Sequence, residues 1–187
     1  DVRFVNSLVD RIVSEPIEPA GAVAEPYALW AIEQREGLIP PCTHDAVQIV
    51  DDLQIIERLK LFILNLGHTW LVDHWQNAMD GTGTPLVREM IADPAIRAGL
   101  EAIYRQEVLP VFATAGHGDR AAAYVTQTLD RFANPYLAHH LTDIRQNHAE
   151  KVARRIGGLI GWADSLKLAG DQPTLSAILR AAGHGRS

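Results

Sequence analysis

Apolar residues recur at helical spacing through most of the chain. Over residues 52–78 they run almost without a break, and the glycine-rich stretch DGTGTP ends the pattern. Further helical patterns cover residues 95–109, 120–132, 136–162 (whole or interrupted) and 174–182. Thr84 and Pro85 are suited to start another helix after the glycines. The sequence therefore predicts an all-α, multi-helical fold.

The first fifty residues give weaker signals. Over residues 2–13 the apolar positions, Phe4, Val5, Leu8, Val9 and Ile12, are spaced by three and four, which predicts a helix. The segment 14–26 contains three prolines and predicts a loop, because proline removes backbone donors. Residues 27–35 predict a short ordered element, and AVQIV at 46–50 is the one convincing strand candidate. A single strand predicts no sheet.

Length, charge and cysteine content narrow the class of protein. The 187 residues, 47% of them hydrophobic, are enough for one domain with a real core. A formal charge of -6 without a basic patch argues against nucleic acid as a partner. No apolar stretch reaches the ~20 residues of a membrane span, so we expect no membrane association. Because a single cysteine cannot form an internal disulfide, a cytoplasmic location is expected.

The stretch KLFILNLGHTW places polar residues within the most apolar helical pattern. At about 100° per residue, Glu57, Lys60, Asn65 and His68 fall within one arc of about 140°. They are therefore expected to converge on one cavity, where burial lowers the pKa of a lysine and prepares it to act as a general base. A plainer interpretation also fits, with Lys60 reaching solvent or pairing with Glu57 and His68 packed in the core.

The spacing K-x4-N-x2-H, with Glu57 three residues ahead, resembles the signature of the mannitol dehydrogenase family. That family comprises metal-independent polyol dehydrogenases and the fructuronate and tagaturonate reductases. Other segments resemble family motifs in the same order: NSLVDRIV, AEPYALWAIE, RFANPYLAHH, and a K-x3-R pair formed by Lys151 and Arg155. The resemblance thus extends over most of the chain.

This resemblance implies a particular domain organisation. Residues 1–187 would form the family's single helical C-terminal substrate domain, like the C-terminal domain of 6-phosphogluconate-dehydrogenase-like proteins. The family's N-terminal Rossmann domain, which binds NAD or NADP, would be absent from this chain and would be its partner. The chain opens on Asp1 without a methionine, which also predicts an excerpt from a longer protein. Residues 1–187 alone are therefore expected to be inactive.

The resemblance also implies catalytic roles for the polar residues of the long helix. Lys60 would be the general acid/base that exchanges a proton with the substrate hydroxyl. Asn65 would donate its amide N–H to the developing alkoxide, and His68 would orient the substrate. Glu57 would lie behind the lysine, passing protons to solvent. No metal takes part in this scheme.

Further residues are implied to bind substrate, a small polyol or sugar acid. Asp10 matches a family aspartate near the substrate, and Lys151 a lysine that binds its far hydroxyls or carboxylate. His139 and Arg155 complete the motifs. Asp143 falls where some members have an arginine, and an acid facing the pocket would disfavour an anionic substrate. The choice between a polyol and a hexuronate therefore stays open.

Two other function classes remain open at this stage. His139, His140, Asp143 and His148 are close in sequence and could bind a metal in a helical hydrolase. Alternatively, the chain could be a non-catalytic helical binding module.

Overall fold

Helices dominate the computed structural model, which describes residues 4–168 and 172–184. The α-helices are α1 (Leu53–Leu59), α2 (Leu66–Ala78), α3 (Val87–Ala92), α4 (Pro94–Ile103), α5 (Leu109–Thr114), α6 (Gly118–Phe132), α7 (Leu141–Arg145), α8 (His148–Val152), α9 (Gly158–Ser165) and α10 (Pro173–His184). Three π-helical segments lie between some of them within the described residues: π1 (Lys60–Asn65), π2 (Tyr104–Val108) and π3 (Ala153–Gly157). The predicted multi-helical fold is confirmed.

The central element is the long helix predicted over residues 52–78, in which π1 joins α1 to α2. Its start is set locally, because Asp52 Oδ1 accepts the backbone N–H groups of Gln54 and Ile55 at 2.9 and 3.3 Å. Its interior positions are fully buried: Ile63, Leu66, Leu71 and Val72. Helices α3, α4, α6, α7 and α8 pack directly against it. None of the helices in the described segments is both long and apolar enough to cross a bilayer.

The remaining predicted helices have somewhat different bounds. The helices predicted from residues 95, 120 and 174 begin one or two residues earlier, as α4, α6 and α10. The segment 136–162 is divided, and its first helix begins only at Leu141. Asn147, with a left-handed φ of 56°, separates α7 from α8, and π3 separates α8 from α9.

The helix predicted over residues 2–13 is wrong within the described residues. Ser7–Asp10 forms strand β1, which pairs antiparallel with β4 (Leu29–Glu33). The apolar spacing was misleading because Phe4 and Val9 are 92% and 61% exposed and form no buried helix face. The buried residue of β1 is instead the charged Asp10.

Two small sheets occupy the N-terminal part of the chain. The strand predicted at 46–50 is confirmed as β5 (Val47–Val50), and the short element at 27–35 is β4. The expectation of no sheet is wrong, since the order is β1-β4-β5, with β4 and β5 parallel. The predicted loop 14–26 contains a hairpin of β2 (Val13–Ile17) and β3 (Gly21–Ala24). β1 was missed because its pairing partner β4 is about twenty residues away in sequence, whereas the hairpin was missed because its prolines were interpreted as a loop.

A buried ionic network attaches this N-terminal part to the helices. Arg131 in α6 donates to both oxygens of Asp10 at 3.0 and 3.1 Å, and to Glu25 at 2.7–3.2 Å. All three residues are at most 6% exposed. Tyr124 donates to Asp10 at 2.6 Å, and the N–H of Ile12 donates to Glu25 at 2.6 Å. The carboxylates are thus paired and hydrogen-bonded, which buried charges require.

We predict that Arg131→Met lowers the free energy of unfolding by about 3–5 kcal/mol, because it leaves buried carboxylates without a cation. Urea unfolding followed by tryptophan fluorescence measures the change. The control is Arg97→Met, which removes an ion pair to Glu101 whose side chains are 42% and 41% exposed, and it should cost under about 1 kcal/mol. Equal losses in the two variants would contradict the prediction.

Candidate functional site

A cavity of about 320 Å³ lies where β1, the long helix and the α7–α8 region meet, within the usual size range of ligand pockets. Most of the residues singled out from the sequence line it: Asp10, Lys60, Asn65, His68, His139, Asp143, Lys151 and Arg155. Arg11, Ile12, Val13, Leu64 and Ile144 complete the wall. Side chains from five separate segments of the fold therefore converge on one space.

The helix carries Lys60 and Asn65 on a π-helical turn. In such a turn, backbone hydrogen bonds join residues five apart, so the turn is wider than that of an α-helix and the angles between its side chains differ. An α-helix would have left these two side chains about 140° apart, as the sequence pattern implied. The structure corrects that geometry. Single π-helical turns within α-helices are often found at functional sites.

Lys60 contacts β1 and not its own helix. Its Nζ donates to the backbone carbonyl of Val9 at 2.6 Å and lies 3.8 Å from Asp10 Oδ1. Its side chain is 27% exposed, so the lysine is half-buried at the edge of the cavity. Glu57 is exposed and lies outside the cavity, in contrast to the expected arc of four residues. Lys60 is thus supported by the strand that Arg131 holds in place.

His68 is a deeply buried residue of the cavity wall. It is 5% exposed, and its ring packs on Phe132 with ring centroids 4.3 Å apart. Its Nε2 atom is buried and has no hydrogen-bond partner among the described residues. Burial, followed by the charges of His139 and Arg155, lowers the pKa of His68 well below its usual value. His68 is therefore neutral, and its Nε2 is a buried polar atom left without a hydrogen-bond partner among the described residues.

Two cations from the C-terminal helices, Lys151 and Arg155, also line the cavity. Lys151 Nζ donates to the carbonyl of Ile144 at 2.7 Å, and burial, then Arg155, lowers its pKa. Arg155 Nη1 donates to the carbonyl of Asn65 at 3.1 Å and to Thr69 Oγ1 at 2.9 Å. Burial, followed by the charge of Arg154, lowers the pKa of Arg155 to about 10. Arg155 therefore remains charged at neutral pH and favours an electronegative ligand.

The histidine-rich segment does not gather into the metal site considered above. His139 packs edge-on against His68 at 4.8 Å, whereas His140 lies 3.4 Å from the carbonyl of Thr84. His148 lies 3.9 Å from Asp73. Within residues 4–168 and 172–184, no three His, Cys, Asp or Glu side chains are grouped to hold a metal ion. The separate directions of these rings remove the geometric basis of the hydrolase alternative.

The residues that hold the cavity wall in place were not singled out from the sequence. Arg131 and Glu25 hold Asp10 and β1 in place, and Tyr124 hydrogen-bonds Asp10. Arg11 was also missed, although it follows Asp10 directly and lines the cavity. A signal was present, since Arg131 and Glu25 are charged residues within RFANPYLAHH and AEPYALWAIE.

Comparison with known proteins gives one family and related folds. Residues 52–168 match the family model described as the mannitol dehydrogenase C-terminal domain. The fold is similar to that of Pseudomonas fluorescens mannitol 2-dehydrogenase in ternary complex with NAD and D-mannitol, with 21% identity and a TM-score of 0.69. It is also similar to a D-sorbitol dehydrogenase in substrate-free form, with 22% identity and a TM-score of 0.75. The alignments cover 96% of this chain but 39% of each of those chains.

We predict that His68 makes the stability of the fold depend on pH. The pKa of His68 is lowered in the folded state, so below about pH 6.5 the unfolded chain binds a proton that the native state does not bind. The free energy of unfolding therefore decreases as the pH is lowered. This one group should cost up to about 2 kcal/mol between pH 7 and pH 5. Urea unfolding at both pH values should show a smaller loss for His68→Gln than for wild type. Equal losses would contradict the assignment.

Proposed function

Because the chain belongs to the mannitol dehydrogenase family, through its C-terminal domain, we propose that it is the substrate-binding and catalytic part of an NAD(P)-dependent oxidoreductase. The proposed reaction interconverts a sugar alcohol or hexonate with the corresponding keto-sugar or keto-hexuronate. The lengths of the two similar dehydrogenases support a further domain outside this chain, since the chain spans only 39% of each.

One observation carries the proposal. Lys60, Asn65 and His68 line the same cavity, and each offers a different function to a bound hydroxyl or carbonyl group. A lysine can exchange a proton, an amide N–H can stabilise an oxyanion, and a neutral histidine can hold the substrate. The buried Nε2 of His68 lacks a partner among the described residues, and this supports binding of a ligand there.

In the proposed oxidation, neutral Lys60 takes the proton from the substrate hydroxyl at Nζ. The amide of Asn65 donates to the oxygen as its negative charge develops, and His68 fixes its orientation. In the reverse direction, protonated Lys60 returns the proton. Glu57 is exposed, so its proposed role is to relay the proton between Lys60 and solvent.

The proposed substrate end-binding group lies across the cavity. Lys151 uses one of its three N–H donors on Ile144, which leaves donors for the far hydroxyls or carboxylate of a substrate. Within the described segments, Arg155 bonds through Nη1 alone, so its other nitrogens can serve the same purpose. His139 and Asp143 are assigned to substrate hydroxyls, and Asp10 supports Lys60 from β1.

The described residues do not fit the phosphates of a nicotinamide cofactor. The sequence lacks a G-x-G-x-x-G turn after a strand, and Gly81 and Gly83 lie between α2 and α3. We therefore assign cofactor binding to a domain outside this chain. NAD or NADP, when bound there, supplies the acceptor or donor of hydride.

A substrate screen tests the proposal. The complete protein that contains this chain should be assayed with hexitols, pentitols, fructuronate and tagaturonate, each with NAD(H) and NADP(H). Nicotinamide absorbance measures turnover. Activity with none of these classes would overturn the proposed function and favour a non-catalytic binding module.

We predict that Lys60→Ala in the complete protein lowers kcat by about 10²- to 10⁴-fold, because a general acid/base is lost. Asn65→Ala should lower it by about 10²-fold or more, through loss of an oxyanion donor. Lys167→Ala is the matched control, since this exposed lysine lies outside the cavity. Circular dichroism checks the fold of each variant. Wild-type turnover in folded Lys60→Ala would contradict the mechanism.

We also predict that removal of metal ions leaves turnover unchanged, because the proposed proton transfer uses Lys60. The measurement is the steady-state rate before and after dialysis against a chelator, together with elemental analysis of the protein. Loss of activity with a stoichiometric ion, restored by adding that ion back, would favour a metal-dependent enzyme.

A further inference from the structure

Side chains from other elements donate hydrogen bonds to the backbone of the π-helical turn π1, in addition to the bonds within its own helix. Interruptions of regular α-helical hydrogen bonding are maintained by identifiable causes, such as a side chain that inserts among the backbone groups. Carbonyl groups in such a turn need partners, since buried backbone groups are costly to leave unpaired. The side chains that supply these partners determine where Lys60 and Asn65 lie relative to each other.

Tyr104 supplies one of these partners from a different helix. Its hydroxyl donates to the carbonyl of Ile63, inside π1, at 3.0 Å. The residue is 1% exposed, and burial raises the pKa of its hydroxyl, which keeps the donor protonated. Tyr104 is also the first residue of π2, so one irregular turn supports another.

Gly67 provides the space for this contact. A Cβ atom at residue 67 would lie 2.1 Å from the Tyr104 hydroxyl oxygen and 3.2 Å from its ring carbon Cζ. The first distance is far below any real contact, so a side chain at 67 would displace the hydroxyl from the helix. The close approach of Tyr104 to the helix thus depends on a glycine two residues after Asn65.

Arg155 holds π1 from the other side through the carbonyl of Asn65. Arg155 also lines the cavity, whereas Tyr104 does not, so the two supports differ in their access to substrate. Tyr104 therefore acts on the reaction through the backbone of the long helix, at Ile63 in π1 and beside Gly67, and not by contact with substrate.

We propose that Tyr104 is a positioning residue: its hydroxyl maintains the π-helical turn and thereby sets the spacing between Lys60 and Asn65. This inference rests on the proposed function, because it assigns Tyr104 to the same proton transfer. A misplacement of reacting groups by about 1 Å commonly costs up to 10²-fold in rate. Of the proposed substrate-binding cations, Lys151 is anchored outside π1 by the carbonyl of Ile144, whereas Arg155 is bonded to π1 itself.

The test is Tyr104→Phe in the complete protein, which removes one oxygen and retains the ring. We expect kcat to fall by about 10- to 100-fold, with KM within about twofold of wild type. The matched control is Trp75→Phe, which also removes a buried side-chain donor to a backbone carbonyl, at 3.0 Å from Thr82, on the same helix but outside the cavity. Its kcat should stay near wild type at a temperature well below its Tm.

A double-mutant cycle gives a second measurement. Gly67→Ala should lower kcat as well, because it displaces the same hydroxyl. The double variant Gly67→Ala/Tyr104→Phe should lose no more than the more impaired single variant, since both changes remove one hydrogen bond. Multiplicative losses would show that the two substitutions act separately and would overturn the proposal.

These experiments distinguish failure of the proposed function from failure of the positioning role of Tyr104. If wild-type protein reduces or oxidises no substrate of the screen, the proposed function fails and the role of Tyr104 fails with it. If wild type is active and Lys60→Ala is not, the mechanism stands. A kcat of Tyr104→Phe within about threefold of wild type, or an equal loss in Trp75→Phe, would then overturn the positioning role alone.

Discussion

The pairing of Arg131 with Asp10 and Glu25 is the interaction on which the arrangement of the site depends. A guanidinium in α6 and two carboxylates from the N-terminal part meet out of contact with water. Moving three charges out of water is costly, and in some proteins such networks specify an arrangement more than they add stability. Here the specific arrangement is the position of β1 against the helices, which brings Asp10 to the cavity.

The long central helix has both a buried apolar surface and a polar surface that lines the cavity. The π-helical turn π1 within it makes this combination possible. Ile63 and Leu66 belong to the packed core, whereas Asn65 between them lines the cavity. A regular α-helix as apolar as this one has few positions to offer to a polar site. The wider turn changes the directions of successive side chains, so packing and ligand binding share one helix.

Some of this organisation could be predicted from the sequence. The long helix was predictable because a long apolar run and a local cap at Asp52 define it, and the cavity residues were predictable from family-like motifs. β1 was not, because its position depends on Arg131, which is 121 residues from Asp10. The π-helical turn was not, because a period of 100° assumes an α-helix. The same assumption of a regular α-helix placed Glu57 in the cavity, which it does not line. The catalytic roles remain predictions.

The contact between Lys60 and β1 has a consequence for sequence variation. The acceptor is the backbone carbonyl of Val9, whose own side chain is 61% exposed. Every amino acid has this backbone carbonyl, so substitutions of residue 9 retain the contact. An insertion or deletion within β1 would disrupt the contact, because a shift of one residue reverses which side chains face inward. The contact of Lys60 therefore depends on the register of β1 and not on which amino acid occupies residue 9. In related sequences this constraint would appear as a constant length of β1 with variable residues within it.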